Sequence, residues 1–262
     1  MTLPFVTMFV ATYNRFPLHG FLLSEVVESF QRQDYPVDCR ELLICNDAPG
    51  QTLTCDVPGV RILNVSPRFR TLGQKLNFLV ESAKGDFLAP CDDDDIVLPH
   101  HLSQAVQRLG ITDYWNPQRF WFIDQNGIHF EHNHGVCHCA SIFTRSLFNR
   151  AHGYPAISGS QDAMIDYTLK SMIPMAAPLS DDPAEWSYIY RWFVGNPHHL
   201  SAHHPYEASF YERVGMMPIV TGEFKIEPGW QQNYVAQTRA ACSEWTAQRL
   251  QATMDKASRG ES

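Results

Sequence analysis

Phe87-Leu88-Ala89-Pro90-Cys91-Asp92-Asp93-Asp94-Asp95-Ile96-Val97-Leu98-Pro99 is the stretch from which the rest of the chain can be read. A short apolar run, of strand length, delivers four consecutive carboxylates. Four like charges at a strand end repel one another and destabilise the fold unless a cation answers them. Hard divalent cations such as Mg²⁺ or Mn²⁺ prefer carboxylate oxygen, and Mg²⁺ commonly bridges one or two carboxylates to phosphates. The competing reading is a solvated acidic turn. Such turns are usually punctuated by Gly, Asn or Ser, whereas apolar residues stand on both sides here. The run therefore points to a metal and a phosphate-bearing ligand at a strand end.

Upstream, strand and helix signals alternate. Phe5 to Ala11 is a β-rich apolar run ending at Thr12-Tyr13-Asn14, and Leu22, Leu23, Val26, Val27 and Phe30 then recur at helical spacing. Pro36 closes that unit. Glu41 to Cys45 reads as a second strand, ending in Asn46-Asp47 before the turn pair Pro49-Gly50, and Val60 to Val65 as a third. Leu72, Leu76, Leu79, Val80 and Ala83 form another helical stripe that Gly85 terminates, and Phe87 to Cys91 is the fourth strand. This order predicts a largely parallel sheet covered by helices, with ligands at the carboxyl ends of its strands. Thr12-Tyr13-Asn14, Asn46-Asp47 and Asp92 to Asp95 all fall where that rule puts a ligand. The second half is less regular, with Trp115, Trp121, Trp186, Trp192 and two histidine-rich stretches. A last helix is expected over about Tyr234 to Met254.

Composition narrows the field. With 262 residues, 44% hydrophobic and 12% aromatic, the chain can bury a large core. A formal net charge of −8 argues against broad, non-specific nucleic-acid binding. No apolar run approaches the ~20 residues of a membrane span, and Met1 to Val10 reads as a buried first strand rather than a signal peptide. Seven scattered cysteines suit a reduced, cytoplasmic protein without a disulfide framework.

Taken in order, Val10-Ala11-Thr12-Tyr13-Asn14-Arg15, Gln33-Asp34-Tyr35-Pro36, Glu41 to Asp47, Gly73-Gln74-Lys75-Leu76-Asn77, Ala83-Lys84-Gly85-Asp86, the aspartate run with Pro99, His152-Gly153-Tyr154 and Gln161-Asp162 resemble the family 2 glycosyltransferases. The resemblance covers about residues 5 to 205. It implies a GT-A-like, Rossmann-type α/β fold with a mixed sheet, largely parallel in the N-terminal half, and helices on both faces. It implies one domain over 1–222, with a nucleotide-binding half at 1–100 and an acceptor-side half at 101–222, followed by a helical extension at 223–262. The family's Asp-x-Asp motif maps onto Asp92-Asp93-Asp94, so Asp94 is expected to hold the metal, with Asp92 and Asp93 at the ribose or supporting it. Thr12, Tyr13, Arg15, Asp47 and Asn77 fall where the family holds base and ribose. Asp47 can accept from a uracil-type imide N–H, and Tyr13 can stack on the base. Lys75 is expected at a phosphate or the base edge, Arg191 at a phosphate, and His199 in the metal shell. The family usually has Glu-Asp where this chain has Gln161-Asp162.

The implied reaction is metal-dependent, inverting transfer of a sugar from a nucleoside diphosphate donor, UDP being the expected one, with Mn²⁺ or Mg²⁺ as cofactor. Such chemistry needs charge neutralisation on the leaving group, a base for the acceptor hydroxyl, and exclusion of water. Asp162 is the candidate base; a helix N-cap is its structural alternative. The acceptor can be a glycan, a lipid-linked intermediate, a metabolite, a protein or a nucleic-acid base. His129, His132, His134, Cys137, His138 and Cys139 invite a zinc reading, but structural zinc more often uses Cys pairs two to four residues apart. Inward packing of an acceptor-side strand is preferred. Two other functions stay open, a nucleotidyltransferase and a catalytically silent sugar-nucleotide or carbohydrate-binding protein. Thr12-Tyr13-Asn14-Arg15-Phe16-Pro17 lacks the glycine of a nucleotidyltransferase loop.

Overall fold

The computed structural model describes residues 3–259 apart from 111, 125, 132–136, 175–178, 180–181 and 192–217. Val6–Thr12 forms β1, whose seven residues are almost wholly buried because both faces of the sheet are covered. On one face Val6, Met8 and Val10 meet Leu23, Val26, Val27 and Phe30 of α1 (Gly20–Gln31). Leu102, Ala105 and Leu109 of α3 (His101–Leu109) join that layer. On the other face Phe9 packs with Leu79 and Val80 of α2 (Leu72–Ser82). Leu147 and Phe148 of α4 (Arg145–Arg150) and Ile165 and Leu169 of α5 (Gln161–Met172) complete it. Each such side chain, fully buried, contributes about 1.5–3 kcal/mol. The period-2 alternation of β1 thus decides which helices lie on which side.

β2 (Arg40–Asn46) and β5 (Phe87–Pro90) flank β1 in parallel, and β4 (Val60–Asn64) continues beyond β2. The sheet turns mixed on the other side. β10 (Ile142–Thr144) runs antiparallel to β5, and β7 (Tyr114–Trp115) antiparallel to β10. The order is β4-β2-β1-β5-β10-β7, so the aspartates leave β5 beside the loop that leaves β1. A second sheet holds β6 (Ile96–Val97), β11 (Tyr188–Arg191), β8 (Phe120–Asp124) and β9 (Gly127–Glu131) in that order. Trp115, Trp121 and Trp186 are core residues, at most 2% exposed, so none of them offers a face to a sugar. Trp192 lies outside the described residues.

Several elements have no counterpart in the sequence reading, β6, α3, α4 and most strands of the second half among them. β3 (Gln51–Thr54) pairs in parallel with β12 (Gly222–Lys225), a partner far along the chain, and neither four-residue strand carries a local signal strong enough to be read alone. The last helix, α6, runs Tyr234–Ser258, starting at the expected residue. Its start is tied to α1 through the buried Glu25 carboxylate, which accepts from the Tyr234 hydroxyl at 2.7 Å and the Gln231 amide at 2.9 Å. Among the described residues no helix is long and apolar enough to cross a membrane.

Candidate active site

The four aspartates have four different environments. Asp95 is turned into the protein, accepting from the Tyr188 hydroxyl at 2.7 Å and the Arg191 amide at 2.8 Å. Asp93 takes both a 2.8 Å bond from Arg15 Nε and a second from Arg15 Nη2, which also lies 3.3 Å from Asp94. A protein cation therefore answers part of the charge. Burial alone would pull the Arg15 guanidinium down, but Asp93 and then Asp94 hold it above its ordinary range. Asp92, half-buried, accepts from the Cys139 thiol at 2.8 Å. Desolvation, then Asp94, pushes the Asp92 carboxyl up to about 7. Burial and the neighbouring Asp94 likewise raise Asp95 well above the usual carboxylate range.

One guanidinium thus serves two of four clustered acids, and Asp92 and Asp94 both line one cavity with Cys139. Among the described residues, Asp92, Asp95 and Cys139 are the set whose ligand atoms all lie within 4.8 Å of one another. Oxygen donors in carboxylate surplus fit a hard divalent cation. Both raised acids bind protons in the folded chain that the unfolded chain has already released, so each stabilises most below an unfolded pKa near 4. That contribution is lost as pH rises, for Asp92 through about 7. The metal-free melting temperature should therefore fall between pH 5 and pH 8. Saturating Mn²⁺ should flatten that slope, and calorimetric scans with and without Mn²⁺ measure both. A metal-free profile that rises with pH would contradict the charge surplus.

The nucleotide-side residues converge at the ends of β1 and β2. Lys75 Nζ donates to Asp47 Oδ1 and to the Thr12 carbonyl, each at 2.6 Å, and Phe69 N donates to Asp47 Oδ2 at 3.2 Å. Lys75 is 1% exposed, so its ammonium holds Asp47 against β1 from beneath the strand ends. Asn14 adopts the left-handed region at φ 52°, which Asn tolerates, and its Oδ1 accepts from Gln51 Nε2 at 2.9 Å. Arg68 stands with its guanidinium carbon 3.5 Å from the Tyr13 ring centre, so cation and ring share the surface read as a base platform. Sequence reasoning missed Arg68; the signal was the basic loop Arg68-Phe69-Arg70 between the third strand and the second helix.

Two further expected ligands, like Arg15 and Lys75, have protein partners. The Asn77 amide is committed to Tyr154, donating to its carbonyl at 2.9 Å and accepting from its N–H at 2.8 Å. Arg191 Nη1 bonds the buried Glu25 at 2.6 Å, an ion pair that joins β11 to α1. His199 lies outside the described residues, as do His132 and His134 of the histidine and cysteine cluster weighed for zinc.

Asp162 lies in the first turn of α5, half-buried, lining the same cavity as Asp92, Asp93 and Asp94. The N-cap position belongs to Ser160, in the left-handed region at φ 60° and without a side-chain cap bond, so Asp162 is not the cap. The preceding loop is pressed onto α2, where Gly73 N donates to the Ile157 carbonyl at 3.0 Å. A Cβ on Gly73 would stand 1.8 Å from the Pro155 carbonyl oxygen, so only glycine allows this approach. Gln161 lines the cavity too, and its Oε1 is buried with no hydrogen-bond partner among the described residues. Asp166, one turn on, is fully buried and accepts from the Tyr114 hydroxyl at 2.8 Å and His138 Nδ1 at 2.7 Å. Burial alone would lower His138, but the Asp166 charge and hydrogen bond raise it. A larger cavity, about 640 Å³, is lined by Trp186, Arg239 and Cys242, away from the strand ends.

Residues 7–114 match the model of glycosyl transferase family 2. The uncharacterized glycosyltransferase YwdF of Bacillus subtilis is 29% identical over 114 residues, 42% of this chain and 40% of that protein. Among solved structures, S. aureus TarS 1-349 in complex with UDP-GlcNAc superposes with a TM-score of 0.58 at 16% identity, over 79% of this chain and 64% of that one. The mannosyltransferase PcManGT from Pyrobaculum calidifontis, in complex with GDP-Man and Mn²⁺, gives 0.52 at 20% identity, over 72% and 57%. At those identities the structures establish a shared fold, and the chain spans less than two thirds of each relative's length.

Proposed function

We propose that this chain, whose residues 7–114 match the model of glycosyl transferase family 2, moves a sugar from a nucleoside diphosphate donor to an acceptor hydroxyl, with inversion and with a divalent metal. The observation that carries this reading is the shared cavity: a carboxylate on α5, Asp162, faces the acids that end β5. Asp162 takes the proton of the attacking hydroxyl. Asp92 and Asp94 would hold Mn²⁺ or Mg²⁺, with His199 as the further ligand that the family resemblance implies. When bound, that ion supplies Lewis-acid neutralisation of the departing diphosphate. Tyr13 and Arg68 carry the base of the nucleotide, Thr12 and Asp93 lie on its ribose side, and Lys75 keeps Asp47 oriented toward the base edge. Gln161 offers its unpartnered carbonyl to a hydroxyl donor, since an unmade buried hydrogen bond costs about 1–3 kcal/mol. Residues 1–222 form the catalytic unit, with the donor held by 1–100 and the acceptor by 101–222. The 223–262 extension braces the donor half through β12 and the Glu25 tie.

A thermal-shift screen against UDP-, GDP- and other nucleotide sugars, with and without Mn²⁺, tests the reading. A donor at a hundred times its Kd stabilises by about 2.7 kcal/mol, or about 5–10 °C for a chain of this size. The shift should depend on Mn²⁺ and vanish in Asp94→Asn. Release of nucleoside diphosphate marks glycosyl transfer. Pyrophosphate release would mark nucleotidyl transfer, and binding with neither product would mark a silent binding protein.

A further inference from the structure

Direct displacement places base and leaving group on opposite sides of one carbon, so Asp162 must be held against the aspartate loop to within about half an ångström. The two arrive on separate elements. Between them lies the 3-10 turn His138–Ala140. His138 Nδ1 bonds Asp166 Oδ1 at 2.7 Å, one helical turn along α5 from Asp162. The very next residue, Cys139, donates its thiol proton to Asp92 Oδ2 at 2.8 Å. Adjacent residues thus grip the base-bearing helix and the acidic loop. The other ring nitrogen of His138, Nε2, bonds the Tyr154 hydroxyl at 2.6 Å, and Tyr154 is held through its backbone by Asn77 of α2. His138, Asp166 and Tyr154 are 4%, 0% and 2% exposed, so these bonds are shielded from competing water.

We propose that His138 and Cys139 form a positioning bracket that sets the distance between Asp162 and the Asp92–Asp94 loop, and that their role in transfer is to hold this distance rather than to touch either substrate. The inference rests on the reading of Asp162 as base. It also makes sense of Asn77, which ties the same network to the donor-side helix α2.

Two experiments on the full chain test the bracket. The first uses no ligand: hydrogen exchange of the free protein over a urea series. In the wild type, residues 92–97 and the first turn of α5 should open together, with one urea dependence. Cys139→Ala should speed exchange of 92–97 about tenfold while α5 holds, and His138→Leu should do the reverse, each being the loss of a hydrogen bond to a carboxylate. Independent opening in the wild type, or unchanged rates in both variants, overturns the bracket. The second experiment follows nucleoside diphosphate release from the donor found by the thermal-shift screen. Cys139→Ala should lower turnover about tenfold with donor KM unchanged, and Cys139→Ser, which keeps a donor to Asp92, should recover most of it. His138→Leu combined with Cys139→Ala should cost no more than the worse single change, because a bracket cut at one end is already open. Additive losses, or losses that serine does not recover, would mark two unrelated structural contacts. If no nucleotide sugar binds, the proposed activity falls while the exchange experiment still decides the bracket.

Discussion

Asp162→Asn should slow sugar transfer by about 10²–10⁴-fold, the usual weight of a general base, with nucleotide binding and melting temperature close to wild type. Asparagine keeps the shape of aspartate but cannot take a proton at neutral pH. The competing explanation of a large effect, loss of a helix cap, is closed off by geometry, since the cap position is Ser160 and Asp162 lies inside the first turn. Its interaction with the helix N-terminus is worth about 0.3–1 kcal/mol, too little to mimic the loss. Asp166, the next carboxylate along α5, is no substitute base. It is fully buried and already accepts from Tyr114 and His138. The decisive measurement is nucleoside diphosphate release under saturating donor and acceptor. Near-normal turnover by Asp162→Asn would place the base outside the aspartate cavity and remove the observation on which the function was built.

How much of this could be read from the chain depends on whether an interaction is written locally. The strands β1, β2, β4 and β5 and the helices α1 and α2 announce themselves through a run of apolar residues or a 3.6-residue stripe, because each buries its own face. The parallel core and the ligand edge follow from that alternation. β3 and β12 escaped because each is four residues long and exists through the other. Within the site, residue types were legible and partners were not. Four adjacent aspartates demand a cation, and the sequence reading supplied only a metal. The structure shows that Arg15, expected beside the nucleotide, is 2% exposed and lies on Asp93 and Asp94. Asn77 and Lys75 sit on one helix, yet Asn77 turns to Tyr154 and Lys75 to Asp47. No pattern along α2 says so, because the choice is made by loops that arrive from elsewhere. Cys139 and His138 were weighed as zinc ligands from their spacing; their partners are Asp92, Asp166 and Tyr154.

Arg15 is also where stability and metal binding meet, which makes Arg15→Met the most informative stability variant. Removing one partner of a buried ion pair leaves an uncompensated charge and costs about 3–5 kcal/mol. Here the acids that lose this cation are Asp93 and Asp94, each at most 8% exposed and beside two further carboxylates. For a chain of this size the loss corresponds to a fall of about 6–20 °C in the metal-free melting temperature. Mn²⁺ should return a substantial part of it, since a divalent ion binding the folded loop stabilises by mass action and brings positive charge to the same acids. The Mn²⁺-induced shift should therefore be larger in Arg15→Met than in wild type. Adding Asp93→Asn should also recover stability without metal, because deleting both members of a buried pair costs less than deleting one. A nucleotide ligand would behave differently, with an unchanged melting temperature, an unchanged Mn²⁺ shift and a loss confined to donor affinity. Scanning calorimetry of the three proteins, each with and without Mn²⁺, separates the two. If Arg15→Met melts with the wild type, the aspartate loop does not depend on Arg15, and the cation that four adjacent carboxylates require must come entirely from solution.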